Sequence, residues 1–208
     1  WLAARPRDDR KVAIYSLNVQ GGGEFDLDDI RRDEDFPWTN YVRGVAAVFQ
    51  EVGFSLTGFN GLIHSTIPFG SGLSSSAALE VVTAAALKPR DGNWEVDPGR
   101  FARLCQRAEN EFVGMNCGIL DQYSSTFGEA GCSLLLDCRN LTHRTASIPE
   151  DLRVMICDTR VERELTGSEY GERRAQCEEG VRRLADLFVG LGFEPAAFTV
   201  QICVLPPA

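Results

Sequence analysis

The chain has 208 residues, 44% of them hydrophobic and 25% charged, the balance of an ordinary globular protein with room for one large domain or two small ones. Lysine and arginine number 21 against 30 acidic residues, a net charge of -9, which argues against nucleic acid as the main ligand. No apolar run approaches the roughly 20 residues of a spanning helix, and residues 1–12 lack the apolar core of a signal peptide.

In chain order, the alternation in 11–18 (KVAIYSLN) predicts a strand. The glycine-rich and then acidic stretch 21–35 has no calcium-loop spacing and is expected to be a solvated excursion. Val42, Val45, Ala46 and Phe49 fall at helical spacing within 40–52. Residues 61–68 read as a strand ending at Pro68, and 77–88 as an apolar, buried helix. Asp97 and Pro98 are a helix start signal, and that helix is expected to run to Gly114. Residues 132–138 and 153–159 have strand character, and a long charged helix is expected over 168–190. The mixture indicates an α/β or α+β protein, with a boundary near Pro149.

Seven cysteines without a C-x-x-C pair exclude a zinc ribbon and would leave one over in a disulfide framework. Reduced, mostly buried thiols in a cytoplasmic protein are expected. His64, assigned to a strand, and His143, assigned to a turn, have no companion at metal-ligand spacing.

Between the strand at 61–68 and the buried helix lies GSGLSSSAALE, residues 70–80. Gly70 and Gly72 allow backbone angles closed to other residues. Ser74, Ser75 and Ser76 bring hydroxyls and unpaired N–H groups to a helix N-terminus, an arrangement suited to phosphate. Neither the lysine of a P-loop nor the G-x-S-x-G of a hydrolase elbow is present. On these residues alone, a phosphate loop and a tight structural turn both stand.

PFGSGLSSSAALE (68–80) resembles the phosphate-binding motif P-x-x-x-G-L-S-S-S-A of the GHMP small-molecule kinases. Residues 105–139 (CQRAENEFVGMNCGILDQYSSTFGEAGCSLLLDCR) and 159–179 (TRVERELTGSEYGERRAQCEE) are similar to galactokinase segments within that family. The resemblance runs from about Ala3 to Leu187.

What it implies is an α+β fold of two domains. A ribosomal-S5-like nucleotide domain over 1–150 would be followed by the start of an α/β-sandwich domain over 151–208. ATP and Mg2+ would be used to phosphorylate the anomeric hydroxyl of galactose, in the cytoplasm, with no nucleic-acid or membrane partner and no oligomeric state implied. Asp121, in Cys117-Gly118-Ile119-Leu120-Asp121-Gln122, would face the accepting hydroxyl. Gly70, Ser71, Gly72, Leu73, Ser74, Ser75 and Ser76 would hold the phosphates, and Trp38 would lie near the base. Gly118 and Tyr170 would contact the sugar, and Ser76 with Glu109 would hold magnesium. On spacing alone, Glu109 reads as a solvent-facing helix residue near Arg107.

The same residues would suit an N-acetylgalactosamine kinase, or a catalytically silent sugar and ATP sensor that binds a regulatory protein. The family's segment G-R-x-N-L-I-G-E-H-T-D-Y and its second glycine-rich motif do not occur here, and the tail 198–208 departs from the family pattern. The expectation is therefore a chain cut at both ends, or one with an altered tail. Lacking charge-stabilising groups worth on the order of 10³-fold in rate, it is expected to be inactive alone.

Overall fold

Strand β2 (Lys11–Ser16) lies at the centre of the fold because its alternation puts Val12, Ile14 and Ser16 on one buried face. The computed structural model describes residues 1–87, 96–157 and 168–192, with only the backbone for 168–170. β2 pairs antiparallel with β3 (Gly21–Asp26) and parallel with β4 (Phe59–Ile63). β1 (Leu2–Pro6) adds to the far side of β4, giving the sheet order β1-β4-β2-β3.

Helices cover one face of this sheet. α1 (Thr39–Glu51) buries Val42, Val45, Ala46 and Phe49 at the spacing read from the sequence. α2 (Ser75–Ala86) and α3 (Pro98–Arg107) complete the layer, and the core joins Val12, Ile14, Phe25, Phe49, Phe59 and Leu87. Asp97 caps α3 by accepting from the Arg100 N–H at 2.8 Å, with Pro98 in the first turn as expected. α3 then continues as a π-helical turn, Ala108–Val113, which ends at Gly114 with φ of 89°. Gly44 is where α1 meets this turn: a Cβ there would lie 3.0 Å from Phe112 Cβ and 3.2 Å from the Ala108 carbonyl oxygen. α4 (Leu120–Phe127) follows, and Ile119 and Tyr123 form a second small core with Ala102. The hairpin of β5 (Cys132–Asp137) and β6 (Thr142–Ser147) packs Leu134 and Leu136 against it.

Several expectations need correction. The glycines of 21–35 are not in a solvated excursion: Gly21–Asp26 is β3, because Gly21, Gly22 and Gly23 pair with Ser16, Tyr15 and Ile14, and Phe25 anchors the strand in the core. β4 is earlier than expected, so His64 lies just past it, whereas His143 lies inside β6. Residues 152–157 carry no strand, and Leu152, Val154, Met155 and Ile156 are exposed. Residues 158 and 159 lie outside the described residues. Of the six described cysteines only Cys105 is buried; Cys138 and Cys157 are exposed. β1, α4 and β6 have no clear sequence signal.

The chain divides into two compact units, Trp1–Leu165 and Thr166–Ala208. Within the second, α5 (Ser168–Gly190) carries exposed ion pairs such as Arg183 with Glu179 at 2.6 Å. Gly192 follows it with φ of 84°, where the sequence places the helix stop. Among the described residues, no helix is long and apolar enough to cross a membrane.

Candidate nucleotide and metal site

The serine loop turns sharply before α2. Gly70 and Gly72 have φ of 68° and 74°, and Ser74 is itself left-handed with φ of 59°. Ser74 takes the N-cap position, yet its side chain makes no capping hydrogen bond. Ser71 Oγ donates backwards to the Pro68 carbonyl at 2.8 Å. The first N–H groups of α2 therefore have no side-chain cap, and the positive end of the helix dipole faces the loop. Ser75 and Ser76 belong to the first turn of the helix rather than to the loop before it.

Beside this terminus is a cavity of about 230 Å³. Trp38, Tyr41 and Leu79 supply much of its apolar wall, and Gly70, Ser75 and Ser76 line the end nearest the loop. Trp38 precedes α1 and its indole N–H has no partner. Tyr41, one turn into α1, has its hydroxyl pushed up to about 12, by burial first and then by the nearby carboxyls of Glu109 and Glu80.

Glu109 is 4% exposed, not solvent-facing, because the π-helical turn rotates it into the interior. The Ser76 side chain lies beside it. Its Oε2 accepts from Gln122 Nε2 at 2.6 Å and from the Cys117 thiol at 3.2 Å. Burial pushes the Glu109 carboxyl up, and Cys117, Ser76 and Gln122 oppose this. Glu80, fully buried on α2, shares the Gln122 amide with Glu109 and is pushed up further, by burial first and then by the Glu109 charge. Two buried carboxyls bonded to the same amide cannot both hold a full charge, so the pair keeps a proton on Glu80. Burial, with the Glu109 charge beside it, also holds the Cys117 thiol protonated.

Asp121 starts α4 half-buried, close enough for its charge to raise both glutamates. Gly118 is exposed in the preceding loop, and a Cβ there would meet nothing within 4 Å. The fold thus gathers Trp38, Gly70, Ser75 and Ser76 around one cavity and brings Ser76 beside Glu109. Ser71, Gly72, Leu73 and Ser74 form the loop beside it. Tyr170 lies on α5 in the other unit, and its side chain is outside the described residues.

Sequence reasoning missed Tyr41, Glu80 and Gln122. Glu80 did leave a signal: it is the single charge inside the apolar helix, four residues after Ser76 and so on the same face.

An α+β layer in which a glycine-bent serine loop opens a buried helix is the architecture of small-molecule kinases of the GHMP type. Residues 40–129 match the model of the GHMP kinases N terminal domain, and that segment belongs to this family. Over 184 residues it is 47% identical to a galactokinase of Chloroflexus aggregans, covering 88% of this chain and 47% of that protein. A galactokinase of Roseiflexus is 40% identical over 190 residues, 91% of this chain and 48% of that one. The crystal structure of Lactococcus lactis galactokinase complexed with galactose superposes with a TM-score of 0.76 at 37% identity, covering 88% of this chain and 48% of that chain. The mevalonate kinase of Methanococcus jannaschii, at 22% identity and a TM-score of 0.52 over 61% of this chain and 40% of its own, shares the fold. The chain spans about half the length of the curated relatives it matches.

Proposed function

We propose that this chain supplies the nucleotide, metal and phosphoryl-acceptor side of a galactokinase, which transfers the γ-phosphoryl group of ATP to the anomeric hydroxyl of galactose. The observation that carries the reading is the uncapped N-terminus of α2, whose Ser75 and Ser76 line the same cavity as Gly70 and Trp38. A triphosphate laid along residues 70–76 would take its hydrogen bonds from the loop and the first turn of α2. The adenine would enter the cavity that Trp38 and Tyr41 line, where aromatic side chains form part of the wall.

Mg2+ fits the donors present. Ser76 and Glu109 offer a hydroxyl and a carboxylate, hard oxygens of the kind magnesium prefers, and few protein ligands are needed when phosphates and waters complete the shell. When bound, the ion would neutralise charge on the phosphates during transfer. Ser76 and Glu109 would hold it, and Glu80, kept neutral, would lower the charge repulsion around Glu109.

Asp121 would face the sugar hydroxyl. Its carboxylate would accept the hydroxyl proton, or orient that oxygen in line with the phosphoryl group, as the oxygen–phosphorus bond forms. Open space at Gly118 would let the backbone approach the sugar. Galactose, rather than another sugar, is supported by the galactose-bound Lactococcus lactis neighbour. The same reading sets the reaction in the cytoplasm, where ATP is at hand.

The test is galactose-dependent release of ADP by the full-length gene product that carries these residues. D121N is expected to lower the rate by on the order of 10²- to 10⁴-fold while ATP still binds. Full activity of D121N, or none in the unaltered protein with galactose, would remove this reading.

A further inference from the structure

One buried amide joins three elements of the site. Gln122 Nε2 donates to Glu109 Oε2 at 2.6 Å and to Glu80 Oε2 at 3.0 Å, which uses both of its hydrogens. Glu80 comes from α2, Glu109 from the π-helical turn and Gln122 from α4. Gln122 and Glu80 are fully buried, so neither bond competes with bulk water.

The amide oxygen of Gln122 has no partner. Leaving a buried carbonyl unpaired is unfavourable, and a methionine of the same length would fill the volume without that cost. The useful part of this side chain is therefore its pair of N–H groups. They meet Glu109 on the oxygen that also accepts from the Cys117 thiol, and so set the rotation of the carboxylate that lies beside Ser76.

We propose that Gln122 is a positioning residue for the metal site, acting through Glu109. It holds the Glu109 carboxylate in the orientation that leaves an oxygen available to a divalent cation beside Ser76. The proposal rests on the reading of Ser76 and Glu109 as the magnesium pair. Gln122 also directly follows Asp121, so the same bonds fix the rotation of α4 that leaves Asp121 only half-buried while turning its neighbour inward.

Mn2+ is the probe, measured by electron paramagnetic resonance on the same full-length gene product with ATP present; ATP binding without metal and thermal melting are recorded alongside. Q122M is expected to weaken Mn2+ binding by on the order of 10-fold or more, as loss of a group orienting a metal ligand does, and to leave metal-free ATP binding unchanged. A folded Q122M that binds Mn2+ as the unaltered protein does would overturn the proposal. Should Q122M not fold, Q122N carries the test, since its shorter amide stays polar but cannot bridge both carboxyls. Failure of both to fold would make Gln122 a structural strut and also overturn it. The underlying pair is judged separately by E109Q: undiminished Mn2+ binding by E109Q, or none by the unaltered protein, sinks the magnesium reading itself.

Discussion

Arg43 of α1 donates to the Asp33 carboxylate at 2.7 Å and lies 4.8 Å over the Phe25 ring. The same guanidinium reaches Thr39 Oγ1 and the carbonyls of Arg31 and Glu24. One side chain therefore pins the acidic segment after β3 to the helix that carries Trp38 and Tyr41 into the site. Removing it would leave Asp33 and two carbonyls short of a partner. R43A is expected to destabilise the protein by roughly 3 kcal/mol, read from urea denaturation of the chain. A loss within 0.5 kcal/mol or so, the size usual for a surface change, would show the pair to be ornamental.

Asp33 also gives this pair a pH signature. N–H groups of Phe36 and Asp35 and the Arg43 charge hold its carboxyl below the usual 3.8, the Phe36 bond foremost. Folded Asp33 releases its proton more readily than unfolded Asp33, so its stabilisation is present above pH 3.8 and is lost as pH falls through the lower folded value. D33N should flatten the acid limb of a melting-temperature profile below about pH 4. An unchanged acid limb would assign acid unfolding to other carboxylates.

Glu80 works in the opposite sense. Burial, then the neighbouring Glu109, raises its carboxyl to about 9 from 4.5, so the folded state binds a proton that the unfolded state has released. Stability from this group is complete below pH 4.5 and declines as pH rises towards 9. E80Q keeps a neutral side chain of the same shape. Its melting temperature should fall less than that of the unaltered chain between pH 6 and about 9. Parallel profiles would mean that Glu80 is ionised in the fold.

Gly44 sets how closely α1 meets the π-helical turn that carries Glu109. A Cβ at 3.0 Å from Phe112 and 3.2 Å from a backbone oxygen forces the two apart. G44V should cost about 1–3 kcal/mol and weaken nucleotide binding, because Tyr41 and Glu109 sit on the two elements displaced. Calorimetry with ATP separates these effects, and normal affinity in a destabilised G44V would confine the damage to packing.

Much of the fold is written in local patterns. Helical spacing marked α1, the Asp97-Pro98 start marked α3, and the glycine and serine run marked the loop, because each depends on residues a few places apart. β3 was hidden because three glycines carry no side-chain alternation, and only pairing with β2 and the burial of Phe25 make the strand. β6 was hidden likewise: its six residues are all exposed, so no buried face imposes a period on them.

The site divides in the same way. Short motifs, whose residues are near neighbours, carried the resemblance that singled out Ser76, Glu109 and Asp121 as candidates, although on spacing alone Glu109 reads as solvent-facing. Tertiary structure alone decided that Glu109 turns inward, that Glu80 is buried near it, and that Gln122 bridges the two. Gln122 lies 42 residues from Glu80 and 13 from Glu109. Contacts over such separations exist only once α2, the π-helical turn and α4 have packed, and a buried charge takes its state from whatever packing brings beside it.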